Sequence, residues 1–161
     1  MQIYLLRHAI AEPSRSGLSD ADRALTSEGS EKLSVVLRCA REAGVRPEVI
    51  LSSPYRRALE TARAAAEALS YRGKIVETAA LTPDASPADA WDEIRSRHDQ
   101  SAILVASHEP LMSTLASFLL ASPSLQIDMK KAALVRIDCE RAGPTPSGVL
   151  KWMLTPALAG A

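Results

Sequence analysis

The chain has 161 residues, 47% of them apolar and 24% charged, and its 19 basic residues are matched by 19 acidic ones. That length buries about 68–70% of the unfolded surface around one core, so a single domain over residues 1–161 is expected, and the composition excludes a disordered chain or a coiled coil. Without a basic excess there is little electrostatic basis for a nucleic-acid or membrane partner, and with neither a signal-like leader nor ~20 consecutive apolar residues the reading is a soluble cytoplasmic protein.

QIYLL (2–6) is short and apolar, which predicts a buried strand with Arg7 and His8 at its tip. From Thr26 onward, Leu33, Val36, Leu37, Ala40 and Ala43 recur at three- and four-residue spacing, predicting a helix closed by Gly44 at C′. EVILS (48–52) predicts a second strand, and Pro54 is expected at the first helical position ahead of the alanine-rich RRALETARAAAEAL. KIVET (74–78) predicts a third strand, and SPADAWDEIRSRH (86–98) a helix with Ser86 as N-cap and Pro87 at N1. AILVA (102–106) predicts a fourth strand, after which Pro110 opens a helix through LMSTLASFLLA. AALVRID (132–138) and VLKWML (149–154) flank the turn-rich RAGPTPSG and predict a hairpin or two edge strands. Cys39 and Cys139 lack metal or redox spacing and read as reduced packing thiols.

Strands alternating with helices predict an α/β fold, a three-layer α/β/α sandwich on a mostly parallel sheet with an antiparallel edge strand. Ligands of such sheets bind outside the carboxyl ends of the strands. Three strand ends there carry polar residues: Arg7-His8, Ser52-Ser53-Pro54 followed by Arg56 and Arg57, and Ser107-His108-Glu109. Taken singly, each is an ordinary cap or surface residue. Together, two imidazoles, several guanidinium groups and helix N-termini suit a tetrahedral phosphate. Arginines nearby favour the neutral imidazole, whose lone pair can attack phosphorus while the cations stabilise the equatorial oxygens. Phosphoryl transfer to a histidine is the reaction this set suits. A metal hydrolase is disfavoured, since His8, His98 and His108 are the only histidines and none has ligand spacing, with His98 on the charged stretch RSRHD. No metal or cofactor is expected.

In order and spacing, Arg7-His8, Leu25-Thr26-x-x-Gly29, Ser52-Ser53-Pro54-x-x-Arg57-Ala58-x-x-Thr61 and Ser107-His108 resemble the histidine phosphatase superfamily, which includes the cofactor-dependent phosphoglycerate mutases. The resemblance runs from residue 2 to about residue 120. It implies a phosphoglycerate mutase-like fold, His8 as the nucleophile that becomes phosphorylated, and Arg7, Arg57 and His108 as the phosphate pocket. Ser53 and Ser107 join these as candidate substrate contacts. Ala9 replaces the usual glycine of the family, a substitution that a positive φ would strain.

Many relatives that cleave phosphate esters carry an acid after the third strand to protonate the leaving alkoxide, where this chain reads Ala80-Leu81-Thr82-Pro83-Asp84. A departing imidazole, with a conjugate acid of pKa about 6.5, needs no such help. The missing acid, the small size and the LTP segment resemble the SixA-type phosphohistidine phosphatases, and imply a phosphohistidine-bearing partner protein reached through a shallow site. A small-molecule phosphomonoesterase remains open, with Glu12, Asp84 or Glu109 as general acid and Glu12 and Asp84 as substrate contacts. So does a non-catalytic phospho-ligand binding module, while a mutase has little chain with which to enclose a bisphosphorylated intermediate. No apolar helix face is left over, so a monomer is expected.

Overall fold

A computed structural model describes residues 1–140 and 142–161; Arg141, the first residue of RAGPTPSG, lies outside the described residues. Six strands, β1 (Gln2–Arg7), β2 (Val49–Ser52), β3 (Val76–Glu77), β4 (Ala102–Ser107), β5 (Leu134–Cys139) and β6 (Gly148–Leu154), form one sheet in the order β3-β2-β4-β1-β5-β6. The first four in that order are mutually parallel, and β5 runs antiparallel to both β1 and β6. The antiparallel strand thus lies one place in from the edge, because β6 folds back outside it.

Period-two alternation along β1 divides the core between the two faces of the sheet. Ile3 and Leu5 pack with Trp91 and Ile94 of α3 (Pro87–Arg95) and with Leu111 and Leu115 of α4 (Leu111–Leu119). Tyr4 and Leu6 pack with Leu33 and Leu37 of α1 (Ser27–Glu42) and with Ala62 and Ala65 of α2 (Arg56–Ala68). The three-layer α/β sandwich expected from the sequence is the fold observed. No described helix is long and apolar enough to cross a membrane.

The helix expected from Thr26 begins on that residue as N-cap, with Thr26 Oγ1 accepting from Gly29 N at 3.0 Å, and Gly44 takes the positive φ of a C′ residue at 80°. Pro54, in contrast, is not the first helical residue. Ser53 Oγ accepts the Tyr55 N–H at 3.3 Å and holds a turn there, so α2 starts at Arg56 with Tyr55 as N-cap. Helix α3 ends at Arg95 rather than His98, since RSRH supplies no further apolar residue for its buried face. β3 shortens to Val76–Glu77, where Thr78 turns the chain by capping the 3-10 turn Ala79–Leu81. The short α5 (Pro156–Ala159) was not foreseen, because four residues show no periodicity.

Candidate active site

The register of the sheet assembles the site. Arg7 pairs with Ser107 across β1 and β4, and Ser52 with Ala106 across β2 and β4, so three strands end at one level. Backbone bonds carry that alignment one residue past each strand, His8 N donating to Ser107 O at 2.9 Å and Ser53 N to Ala106 O at 3.0 Å. The two imidazoles follow from this frame, with ring centroids 5.0 Å apart. Helix α2 brings Arg57 over them.

His8 Nδ1 lies 2.7 Å from Ala9 O, so this nitrogen carries the proton and Nε2 keeps its lone pair. Arg57 Nε donates to that lone pair at 3.3 Å. Burial, with only 6% of His8 exposed, pushes its pKa down to about 4, and the charges of Arg57, Arg7 and Lys131 push the same way. His8 is therefore neutral at pH 7. His108 is buried more deeply, and its pKa is pushed down to about 3, again chiefly by burial.

His108 Nε2 lies 2.8 Å from Ser53 Oγ. A hydroxyl both donates and accepts, so the contact fits the tautomer in which Ser53 Oγ donates to His108 Nε2, while accepting from Tyr55 N, and the ring proton sits on Nδ1. That Nδ1 is buried without a hydrogen-bond partner, and so is Arg7 Nε. Among the described residues these are the two buried side-chain nitrogens or oxygens left unpaired, and both belong to this cluster. Buried polar nitrogens are normally paired, and two unpaired ones at the ends of adjacent strands suit, as donors, an oxyanion.

Residues that sequence reasoning did not single out complete the frame. Asp20 holds Arg57 from above: its carbonyl accepts from Nη1 at 2.6 Å and its Oδ2 from Nη2 at 3.0 Å. Tyr55 packs edge-on against His108 at 5.2 Å and lies under the Arg57 guanidinium. Thr61, present in the motif but without an assigned role, donates to Arg57 O at 2.7 Å and accepts from Ala9 N at 3.2 Å. Gly29 earns its motif position sterically, for a Cβ there would stand 2.3 Å from Ile10 O, two residues beyond His8. Thr61 and Gly29 were signalled by their motif positions and Tyr55 by its place just after β2; the Asp20 pairing spans 37 residues from a short 3-10 turn, Asp20–Asp22, that carries no periodicity in the sequence.

His8, Ser53, Arg57 and His108 thus meet, and the charge of Arg7, one residue before His8, is felt at both imidazoles. Ser107 is adjacent in sequence but spends its buried hydroxyl on Leu81 O at 2.7 Å, tying β4 to the 3-10 turn rather than facing a ligand. Glu12 accepts from Ala24 N at 3.2 Å, and Asp84 is exposed in the following turn; neither makes a hydrogen bond to the cluster. Both oxygens of Glu109 are taken by Ser113, from N at 3.0 Å and Oγ at 2.6 Å, so its carboxylate caps the first turn of α4. Ala9 has no positive φ, which removes the strain anticipated for an alanine at this position. Among the described residues no cluster of three metal-ligating side chains occurs.

The model of the histidine phosphatase superfamily (branch 1) matches residues 3–82. The chain is 24% identical over 158 residues to the phosphohistidine phosphatase SixA of Escherichia coli strain K12, covering 97% of this chain and 94% of that protein. In fold it is similar to the protein histidine phosphatase SixA complexed with tungstate, at a TM-score of 0.85 and 23% identity over 98% of each chain. A mycobacterial glucosyl-3-phosphoglycerate phosphatase shares the fold at a TM-score of 0.69 and 15% identity, over 93% of this chain and 96% of its own.

Proposed function

The chain belongs to the histidine phosphatase superfamily, and within it we propose a phosphatase that removes the phosphoryl group from phosphohistidine on a partner protein. In the proposed reaction His8 Nε2 attacks phosphorus, a bond forms between them, and the P–N bond to the partner's imidazole breaks. That imidazole leaves with a proton from solvent. Water then attacks the phosphoryl group on His8, releasing inorganic phosphate and restoring the neutral ring. Arg57 gives up its hydrogen bond to His8 Nε2 and turns toward the phosphoryl oxygens, which Arg7 Nε and His108 Nδ1 also meet.

The observation that carries this reading is the pair of buried, unpaired nitrogens, Arg7 Nε and His108 Nδ1, on the residue before a neutral histidine and on the imidazole 5.0 Å from it; in the proposed reaction both donate. An anion-binding module needs the donors but not a nucleophile held neutral beside them, its lone pair turned to Arg57. The phosphohistidine choice is supported by the disposition of the acids. Glu12 and Glu109 are engaged with backbone N–H groups elsewhere, and Asp84 lies out in solvent. A leaving group that can take its proton from solvent, and needs no acid from the protein, suits such a site. The similarity to SixA points the same way.

The small-molecule reading draws on the fold shared with the glucosyl-3-phosphoglycerate phosphatase. Phosphate release from phosphohistidine peptides and from a panel of phosphomonoesters decides between the two. A kcat/KM at least tenfold higher for the peptides is expected, and a preference for the esters would overturn the phosphohistidine assignment. Tungstate is expected to inhibit competitively in either case.

A further inference from the structure

We propose that the pocket beside Arg7 receives the part of the substrate next to the phosphoryl group, and that Lys131 selects an anionic group there. The inference rests on the phosphatase reading above. The pocket has a volume of about 660 Å³, with walls that include Ile10, Ala132 and Pro156 and a cationic side formed by Arg7, Lys130 and Lys131. Its lining includes Arg7 but neither imidazole. Arg7, the residue before His8, and Ala132, whose N–H donates to His8 O at 3.2 Å, join this space to the nucleophile, and in the proposed binding mode a molecule with its phosphoryl group at His8 extends past Arg7 into it.

The cations are not equivalent. Lys130 is paired with Asp128 at 2.6 Å, and Lys32, also on the pocket wall, with Glu28 at 2.8 Å. Arg7 Nη1 donates to Met129 O at 2.6 Å. Lys131 is exposed and, among the described residues, has no ion pair. The turn that carries it is bonded to the site itself. Ala133 N closes the turn on Lys130 O at 2.9 Å, Ala132 N donates to His8 O at 3.2 Å, and Arg7 N donates to Ala133 O at 3.1 Å.

Ala132 sits in this turn at a φ of 61°, a conformation that glycine adopts freely and alanine does not. Such strain persists where the surroundings hold the backbone firmly, and it clusters at functional sites. The backbone that carries Lys131 is thereby anchored beside the nucleophile, with Lys131 on the wall of the pocket. Its charge is felt at His8, where it helps disfavour the protonated ring. An unpaired cation at a largely apolar pocket is complementary to a carboxylate a short tether away from the phosphoryl group. That carboxylate belongs either to an acidic residue flanking the phosphohistidine or to a small phosphoester.

The test compares two pairs of substrates. One pair is a phosphohistidine peptide with Asp or Glu next to the modified residue and the same peptide with Asn or Gln there. The other is a carboxylate-bearing phosphoester and its neutral amide. Wild type is expected to prefer the charged member of at least one pair, and which pair shows it identifies the source. Lys131→Ala is expected to raise KM for that member by about fivefold, as for loss of one exposed ion pair, with a smaller change for the neutral member. Lys131→Glu should invert the preference, and Lys131→Arg should retain it. Lys151→Ala on β6, outside the pocket, serves as the control. Equal losses on charged and neutral members would overturn the inference, as would no loss on either. If wild type released phosphate from none of the four, the phosphatase reading itself would fail instead.

Discussion

Arg57 Nε donates its proton to His8 Nε2 across 3.3 Å, so the cation occupies the lone pair proposed to attack phosphorus. The contact keeps the ring neutral and aimed, and it has to be exchanged for a phosphoryl oxygen as substrate arrives. His8→Ala is expected to abolish phosphoenzyme and to cut phosphate release by at least about a thousandfold, the scale of losing a covalent nucleophile. Arg57→Lys should recover little of the activity lost in Arg57→Ala, because an ammonium cannot reproduce a guanidinium held at three points. Trapping of phosphorylated protein with a labelled substrate checks both, and turnover by His8→Ala near the wild-type rate would refute the covalent route.

Asp20 positions Arg57 without being part of the motif. Its carbonyl and carboxylate hold both terminal nitrogens of a guanidinium that is 5% exposed, from a residue whose own side chain is about half exposed. Asp20→Ala removes the carboxylate bond but leaves the carbonyl one. The expected result is a loss of about tenfold in kcat/KM with a stability change below about 1 kcal/mol, the range of partly exposed ion pairs. Asp20→Asn should restore part of the activity, since an amide oxygen can still accept from Nη2. Steady-state kinetics and a thermal melt on the two variants separate positioning from folding.

What the sequence revealed and what it withheld divide along a physical line. His8, His108 and Ser53 were legible because they stand at the tips of short apolar runs, and a parallel sheet brings strand tips to one edge. Arg57 was legible because it lies in the first turn of a helix that must start at that edge. Asp20 was hidden, since its partner is fixed by the path of the segment before α1, whose 3-10 turn Asp20–Asp22 is too short to show a periodicity. The partner of Ser107 was hidden for a related reason: the sequence places it beside His108 but does not say that Leu81 O will take its hydroxyl proton. The ends of α2 and α3 shifted where a turn or the loss of apolar spacing overrode proline and propensity signals.

The two buried histidines link acid pH to both activity and stability. His8 is held down to about 4 and His108 to about 3, against 6.5 in an unfolded chain. Between those values the unfolded chain binds protons that the folded one refuses, so stability is greatest above pH 6.5 and falls as pH drops toward 4. Thermal melts from pH 7.5 to pH 4.5 should show this fall, with a shallower slope in His108→Gln. An unchanged slope in that variant would contradict burial as the cause. On the activity side, the acid limb of kcat/KM that belongs to the enzyme should lie near pH 4 rather than 6.5, measured with a substrate whose own ionisation is known.

Ala9 offers a test of how closely the backbone after the nucleophile is fitted to this sequence. Its φ is ordinary, its methyl is fully buried against the α1 and α2 face, and its N–H and carbonyl serve Thr61 and His8. Glycine, the residue usual in the family, would gain nothing from conformational freedom here. Ala9→Gly instead loses a buried methyl and loosens the unfolded chain, each worth about 0.5–1 kcal/mol, so the variant should be destabilised by about 1–2 kcal/mol. Chemical denaturation with an unchanged m-value would record that as a lower midpoint. A midpoint that rose on mutation to glycine would mean that alanine is strained at this position after all, and that the turn out of β1 stores energy beside His8.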